Sequence, residues 1–173
     1  LLVLAMISIS FTLWVTWKLE GGAAAINEAG RMRMQTYQLA LLVNEGDAAA
    51  TTKLITKFDN SIITLKYGDP ARPLFVPWNQ LNKQLFLNIS GQWSSIKDDL
   101  QTRKATSISV SRIDNFVANI DRFVGSIEVE VDYWTNMLHL FQFAMLAISL
   151  FATLVIMYVG YSVILDPVEK LRI

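Results

Sequence analysis

Arg33 stands in the middle of an apolar helical stripe, and that placement is the chain's clearest sign of chemistry. The surrounding stretch, Ala23 to Leu42, reads AAAINEAGRMRMQTYQLALL. At helical spacing Ile26, Gly30, Arg33, Tyr37 and Ala40 share one face, while Glu28 and Arg31 fall mostly off it. Small residues on or near that face, Ala23, Ala29 and Gly30, allow a partner helix to come close. A guanidinium facing such a partner is costly unless an anion meets it. The anion is either a carboxylate of the protein, with Asp114 and Asp121 as the candidates, or a small ion from solution. In a symmetric dimer across this helix Arg33 would face its own copy. A planar oxyanion between the two guanidinium groups would relieve their repulsion and accept several charge-assisted hydrogen bonds. It would then favour one packing of the helices over another, as a sensor requires.

The elements that must position Arg33 begin in a membrane. Leu1 to Trp17 carries no charge, is closed by Lys18, and ends in the aromatic residues Trp14 and Trp17. Tyr133 to Leu165 is again uncharged over 33 residues. A span needs about 20 apolar residues, so the second run is long enough and the first slightly short. The chain opens without an initiator methionine and reads as cut at its start; no small-residue cleavage site stands out after the apolar run, which favours a retained span over a cleaved signal peptide, with Gly22-Ala23-Ala24-Ala25 keeping the latter open. Lys170 and Arg172 after the second run mark a cytoplasmic flank, with Tyr133 and Trp134 at the opposite interface. The expected layout is therefore a first transmembrane helix at 1–19, a periplasmic sensor domain at 20–135, a second transmembrane helix at 136–165 and a linker at 166–173. Both termini would face the cytoplasm of a bacterial inner membrane, making membrane lipid a partner.

Between the spans the pattern is helical. Leu19 to Asn44 continues the first span, weakened at Gly21 and Gly22, which suggest flexibility at the membrane surface. Asn44-Glu45-Gly46-Asp47 is a turn, and Asp47 caps a second helix over Ala48 to Lys66, with Leu54, Ile55, Phe58, Ile62 and Leu65 on its apolar face. Two prolines and a glycine break the chain between Tyr67 and Pro73. A third helix, about Pro77 to Thr102, offers Trp78, Leu81, Leu85, Leu87, Ile89, Trp93 and Ile96 as core. The fourth starts near Ser107 or Ser109, carries Ile113, Phe116, Val117, Ile120, Val124 and Ile127, and runs unbroken into the second span. The fold class is all-α, an antiparallel four-helix bundle whose first and fourth helices continue into two transmembrane helices.

Composition narrows the function. The chain has 173 residues, 15 basic and 15 acidic side chains and no cysteine, which gives no reason to expect nucleic acid and removes thiol chemistry. A single histidine, His139 at the edge of the second span, makes a structural zinc site implausible and reads as an interfacial polar residue. Phosphate-binding glycine loops, zinc-protease motifs and serine elbows are absent, so no catalytic residue is expected in this stretch. Asn88-Ile89-Ser90 fits a glycosylation acceptor by chance. At the other end, Pro167 resets the helix direction after the span, and Val168 and Leu171 begin a new apolar pattern suited to a HAMP-type signalling linker.

The run Ile26-Asn27-Glu28-Ala29-Gly30-Arg31-Met32-Arg33-Met34-Gln35-Thr36-Tyr37 resembles the conserved first box of nitrate/nitrite sensor histidine kinases of the NarX/NarQ type. Phe116 to Val124 is similar to that family's second box, and the layout agrees along the chain. The resemblance implies nitrate, and more weakly nitrite, held between two copies of Arg33 in a homodimer, with Gly30 backbone close to the anion and Ile26, Met34 and Tyr37 in support. It implies signal transmission through Asp121 and Pro167 to a cytoplasmic kinase and its response regulator. No cofactor is expected in this stretch; ATP and magnesium would belong to the kinase core beyond it. Arg31 departs from the family pattern, where a small polar residue stands, and Glu28 can neutralise it at i, i+3. Two other readings remain: a chemoreceptor with the same bundle that senses an organic or amino acid, and a ligand-free, membrane-anchored interaction protein.

Overall fold

A computed structural model of the chain describes residues 2–102 and 108–165. Among them are four α-helices and no strand: α1 (Leu2–Glu45), α2 (Ala48–Tyr67), α3 (Gln80–Gln101) and α4 (Val110–Gly160), the last followed by a π-helical turn at Tyr161–Leu165. Pro167 and the expected linker at 166–173 lie outside the described residues.

The helices begin and end for local reasons. Asp47 caps α2 by accepting from the Ala50 N–H at 2.9 Å, and Gly46 before it takes a positive φ of 74°, which a residue with a Cβ rarely adopts. Asn79 caps α3 and Ser109 caps α4, each accepting an N–H three residues on. Gly68, at φ 84°, ends α2 and returns its N–H to the Thr64 carbonyl at 2.8 Å. With α1 at 44 residues and α4 at 51, both helices are longer than the bundle that α2 and α3 complete.

The four helices form an antiparallel bundle. Its core joins Met32 and Leu39 of α1, Phe58 and Leu65 of α2, Ile89 and Trp93 of α3, and Phe116, Ile120 and Phe123 of α4. Burying each of these large side chains contributes roughly 1.5–3 kcal/mol. Phe58 stacks on Trp93 with ring centroids 3.9 Å apart, and the indole N–H of Trp93 donates to Asp59 at 2.8 Å, tying α2 to α3. Beyond the bundle the apolar ends of α1 and α4 leave their side chains outward: Leu140, Phe143 and Phe151 are 65–70% exposed. Both helices are long and apolar enough to cross a membrane, and the outward side chains distinguish them from core helices of a soluble protein. At this level they touch through Phe11–Phe141 and Trp14–Trp134, with Lys18 over both indoles.

Two expectations change. The buried face of α3 is Asn82, Phe86, Ile89, Trp93 and Ile96, while Leu81 and Leu87 point to solvent. Asn82 can occupy the core because both ends of its amide find partners: the nitrogen donates to the Pro77 carbonyl and the oxygen accepts from Ser126. Gly21 and Gly22 are close-packing positions rather than flexible ones. A Cβ at Gly21 would collide with the Phe75 ring, and one at Gly22 with Val131 of α4. The segment after Gly68 folds back on α1, where the Phe75 N–H donates to the Gly21 carbonyl at 3.3 Å and its ring lies 4.7 Å from Trp17.

Candidate functional site

Along α1 the bundle takes one face and leaves another. Ala25, Glu28, Ala29, Met32, Gln35, Thr36 and Leu39 are buried. Arg33, Met34, Tyr37 and Leu41 are exposed, while Ile26, Gly30 and Ala40 are half-buried between the two faces. Ala29, one of the small residues expected to admit a partner helix, is in the core; around Gly30 there is open space, with nothing within 4 Å of where a Cβ would stand.

Arg33 meets an acidic partner within its own chain. Its Nη1 donates to Asp121 Oδ1 at 2.9 Å, across from α1 to α4, and the two side chains are 52% and 47% exposed. Of the two carboxylates open to it from the sequence, Asp121 is the one used. At that exposure the pair contributes about 0–1 kcal/mol. One guanidinium nitrogen is engaged in this contact, so the half-exposed Arg33 keeps most of its donors without a partner among the described residues.

A second charged centre was not foreseen. Glu28, 4% exposed, accepts from the Ser61 hydroxyl of α2 at 2.7 Å through Oε1. Its Oε2 lies 3.3 Å from Arg31 and 3.4 Å from Arg72 of the loop between α2 and α3. Arg31 is thus neutralised at i, i+3 as its spacing suggested, and it leans toward α2, away from Arg33. Arg72 also bonds Asp69 at 2.9 Å. The Asp69 carboxyl is held below its ordinary pKa first by the Ala71 N–H and then by Arg72. Sequence spacing gave only the Glu28–Arg31 half of this cluster, because Ser61 and Arg72 lie 33 and 44 residues away. No group of side chains able to hold a metal ion occurs among the described residues.

The family profile of the type IV pili methyl-accepting chemotaxis transducer N-terminal region (PilJ) matches residues 14–123, from the end of the first apolar segment through the α4 half of the bundle. The chain belongs to this family. It is also similar to the sensor protein NarQ homolog of Haemophilus influenzae, with 25% identity over 165 residues, covering 95% of the chain and 28% of that relative. The chain therefore spans little more than a quarter of the length of that curated relative. Family and relative both describe receptors that signal, and two membrane-length helices carry the bundle. The chain is a sensor region of a membrane-anchored signalling protein.

Proposed function

We propose that the chain is the ligand-sensing part of a nitrate/nitrite sensor that works as a homodimer, with the anion held between the two copies of Arg33. The observation that carries this reading is the place of Arg33: a guanidinium on the unpartnered face of α1, beside the open backbone at Gly30, held by one exposed carboxylate contact. A planar anion offers several acceptors to the donors that remain. Tyr37 lies one turn after Arg33 and Ile26 two turns before it, and Met34 is its exposed neighbour.

In this reading the anion shifts α1 against α4, and the continuous α4 helix delivers the shift through Pro167 to a HAMP linker and a cytoplasmic histidine kinase with its response regulator. Sensor domain in the periplasm and both termini in the cytoplasm complete the layout. A coupling of about 1–3 kcal/mol between anion and helix position changes output several-fold.

The test is the melting temperature of the detergent-solubilised chain with nitrate, nitrite, chloride or sulfate, run beside Arg33→Ala and Arg31→Ala. A nitrate-specific rise that vanishes in Arg33→Ala and survives in Arg31→Ala supports the site, since Arg31 faces Glu28 instead. The absence of any nitrate-specific rise in the wild-type chain refutes it. The family match favours a second reading of the output: a chemotaxis transducer in place of a kinase. The sequence following residue 173 discriminates the two, as a phosphoaccepting histidine helix or a long heptad hairpin.

A further inference from the structure

The chain has a polar cleft that the Arg33 reading does not use. It lies between α1, α2 and the loop carrying Asp69 and Arg72, measures about 510 Å³, and does not include Arg33. Three cationic side chains, Arg31, Lys57 and Arg72, and two carboxylates, Glu28 and Asp69, line it. The carboxylates are engaged with the two arginines, whereas Lys57 makes no ion pair among the described residues. The cleft therefore carries a surplus positive charge.

It also holds an unmet acceptor. Gln35 is 7% exposed and lines the cleft, and its Oε1 is buried with no hydrogen-bond partner among the described residues. A buried carbonyl without a donor is unfavourable in the empty protein, and a turn of the Gln35 side chain into the cleft lets an entering donor satisfy it. A cation seeking an anion and an acceptor seeking a donor, in one cleft, describe complementary halves of one small molecule.

We infer that this cleft binds a free α-amino acid, its carboxylate on Lys57 with Arg31 and Arg72 nearby and its ammonium donating to Gln35 Oε1. Glu28 is saturated by Ser61 and the two guanidinium groups, so it holds the arginines in place instead of meeting the ligand. Each protomer carries the whole site, so binding needs no dimer. A simple anion satisfies only the cationic half, and for that reason nitrate, acetate and succinate are poor occupants.

The experiment titrates the detergent-solubilised chain calorimetrically with the common α-amino acids one at a time, with acetate and succinate as comparisons. At least one amino acid is expected to bind saturably with one site per protomer. Lys57→Ala should weaken it at least about tenfold, the loss of a charge-assisted contact. Lys53→Ala removes the same charge one helical turn away, outside the cleft lining, and should leave the affinity within about twofold. Gln35→Met should abolish binding while raising the melting temperature of the empty chain, because the orphaned carbonyl is gone. If Gln35→Met fails to fold, the Lys57 and Lys53 pair decides alone. The inference is overturned if no amino acid binds, if acetate or succinate binds as tightly, or if Lys53→Ala weakens binding as much as Lys57→Ala.

Discussion

Replacing Glu28 by alanine removes a buried carboxylate on which α1, α2 and the following loop converge. Its hydrogen bond from the Ser61 hydroxyl is short, at 2.7 Å, and both partners are nearly inaccessible, at 4% and 3% exposed. A buried hydrogen bond to an ionised group contributes about 1.5–3 kcal/mol, and its loss leaves the Ser61 hydroxyl to find another acceptor. The two ion pairs count for less. Arg31 and Arg72 are 47% and 41% exposed, so water and salt screen them, and each contributes no more than about 1 kcal/mol. Glu28→Ala is therefore expected to cost roughly 2–4 kcal/mol, which lowers the melting temperature of a chain this size by roughly 4–16 °C.

Thermal unfolding of the solubilised chain, followed by tryptophan fluorescence, measures this directly; Trp93 reports from the core of the bundle. Glu28→Gln separates the contributions, because it keeps an acceptor for Ser61 and loses only the screened ion pairs. It should cost no more than about 2 kcal/mol, the ceiling for the two pairs together. Combining Glu28→Ala with Ser61→Ala should cost less than the sum of the two single changes by about 1.5–3 kcal/mol, the shared hydrogen bond being counted once. Additivity of the two substitutions within about 0.5 kcal/mol would refute the reasoning, since it would mean the hydrogen bond contributes nothing.

Three further outcomes follow from other contacts. Gly21→Ala must push the Phe75 ring off α1, an overpacking cost of about 1–3 kcal/mol against a helix-propensity gain of about 1 kcal/mol, whereas Gly30→Ala meets open space and should stabilise the protomer by about 0.5–1 kcal/mol. Comparing the two melting temperatures checks the opposite signs. Asp121→Asn removes a negative charge beside the proposed anion site and should tighten nitrate binding by about two- to fivefold, the range an exposed ion pair allows; calorimetric titration reads it. Asp69, held below its ordinary pKa by Ala71 and Arg72 in the folded chain, contributes stability that is fully present above its unfolded value, about 4, and is lost as pH falls through the lower folded one. Asp69→Asn should therefore flatten the acid side of the stability profile and leave its dependence near neutrality unchanged, as melting curves across pH would show.

The helices were legible because their signals are local. Asp47 and Ser109 stand where a cap must, and the apolar spacing of α2 and α4 survives almost residue for residue in the core. For α3 the leucines misled: Leu81 and Leu87 are exposed, and the true face runs through Asn82, whose burial depends on Pro77 and Ser126. Apolar counting scores an asparagine against the core and has no way to credit the partners that satisfy it. The same limit explains Gly21 and Gly22, whose neighbours Phe75 and Val131 are distant in sequence. Arg33 was conspicuous because it breaks an apolar stripe. Glu28 and Gln35 were not, since a polar residue beside a helical stripe reads as solvated until a second helix is seen to cover it.

How α1 could convey a signal to α4 depends on which of their contacts yields first. The pair touches at three levels: Phe11–Phe141 and Trp14–Trp134 in the apolar segments, Gly22 against Val131 where the bundle begins, and Arg33–Asp121 within it. Advancing one helix by a single residue is a step of about 1.5 Å. The long, half-exposed Arg33 side chain absorbs such a step by changing rotamer, at a cost within the roughly 0–1 kcal/mol that the exposed pair is worth. The Gly22 backbone has no side chain to adjust, and Val131 is β-branched with restricted rotamers, so the same step there must repack or separate the helices. The compliant contact thus sits beside the proposed anion site and the stiff one at the membrane boundary. Under the proposed function the anion acts where α1 moves cheaply, and the discreteness of the response comes from the close packing at Gly22.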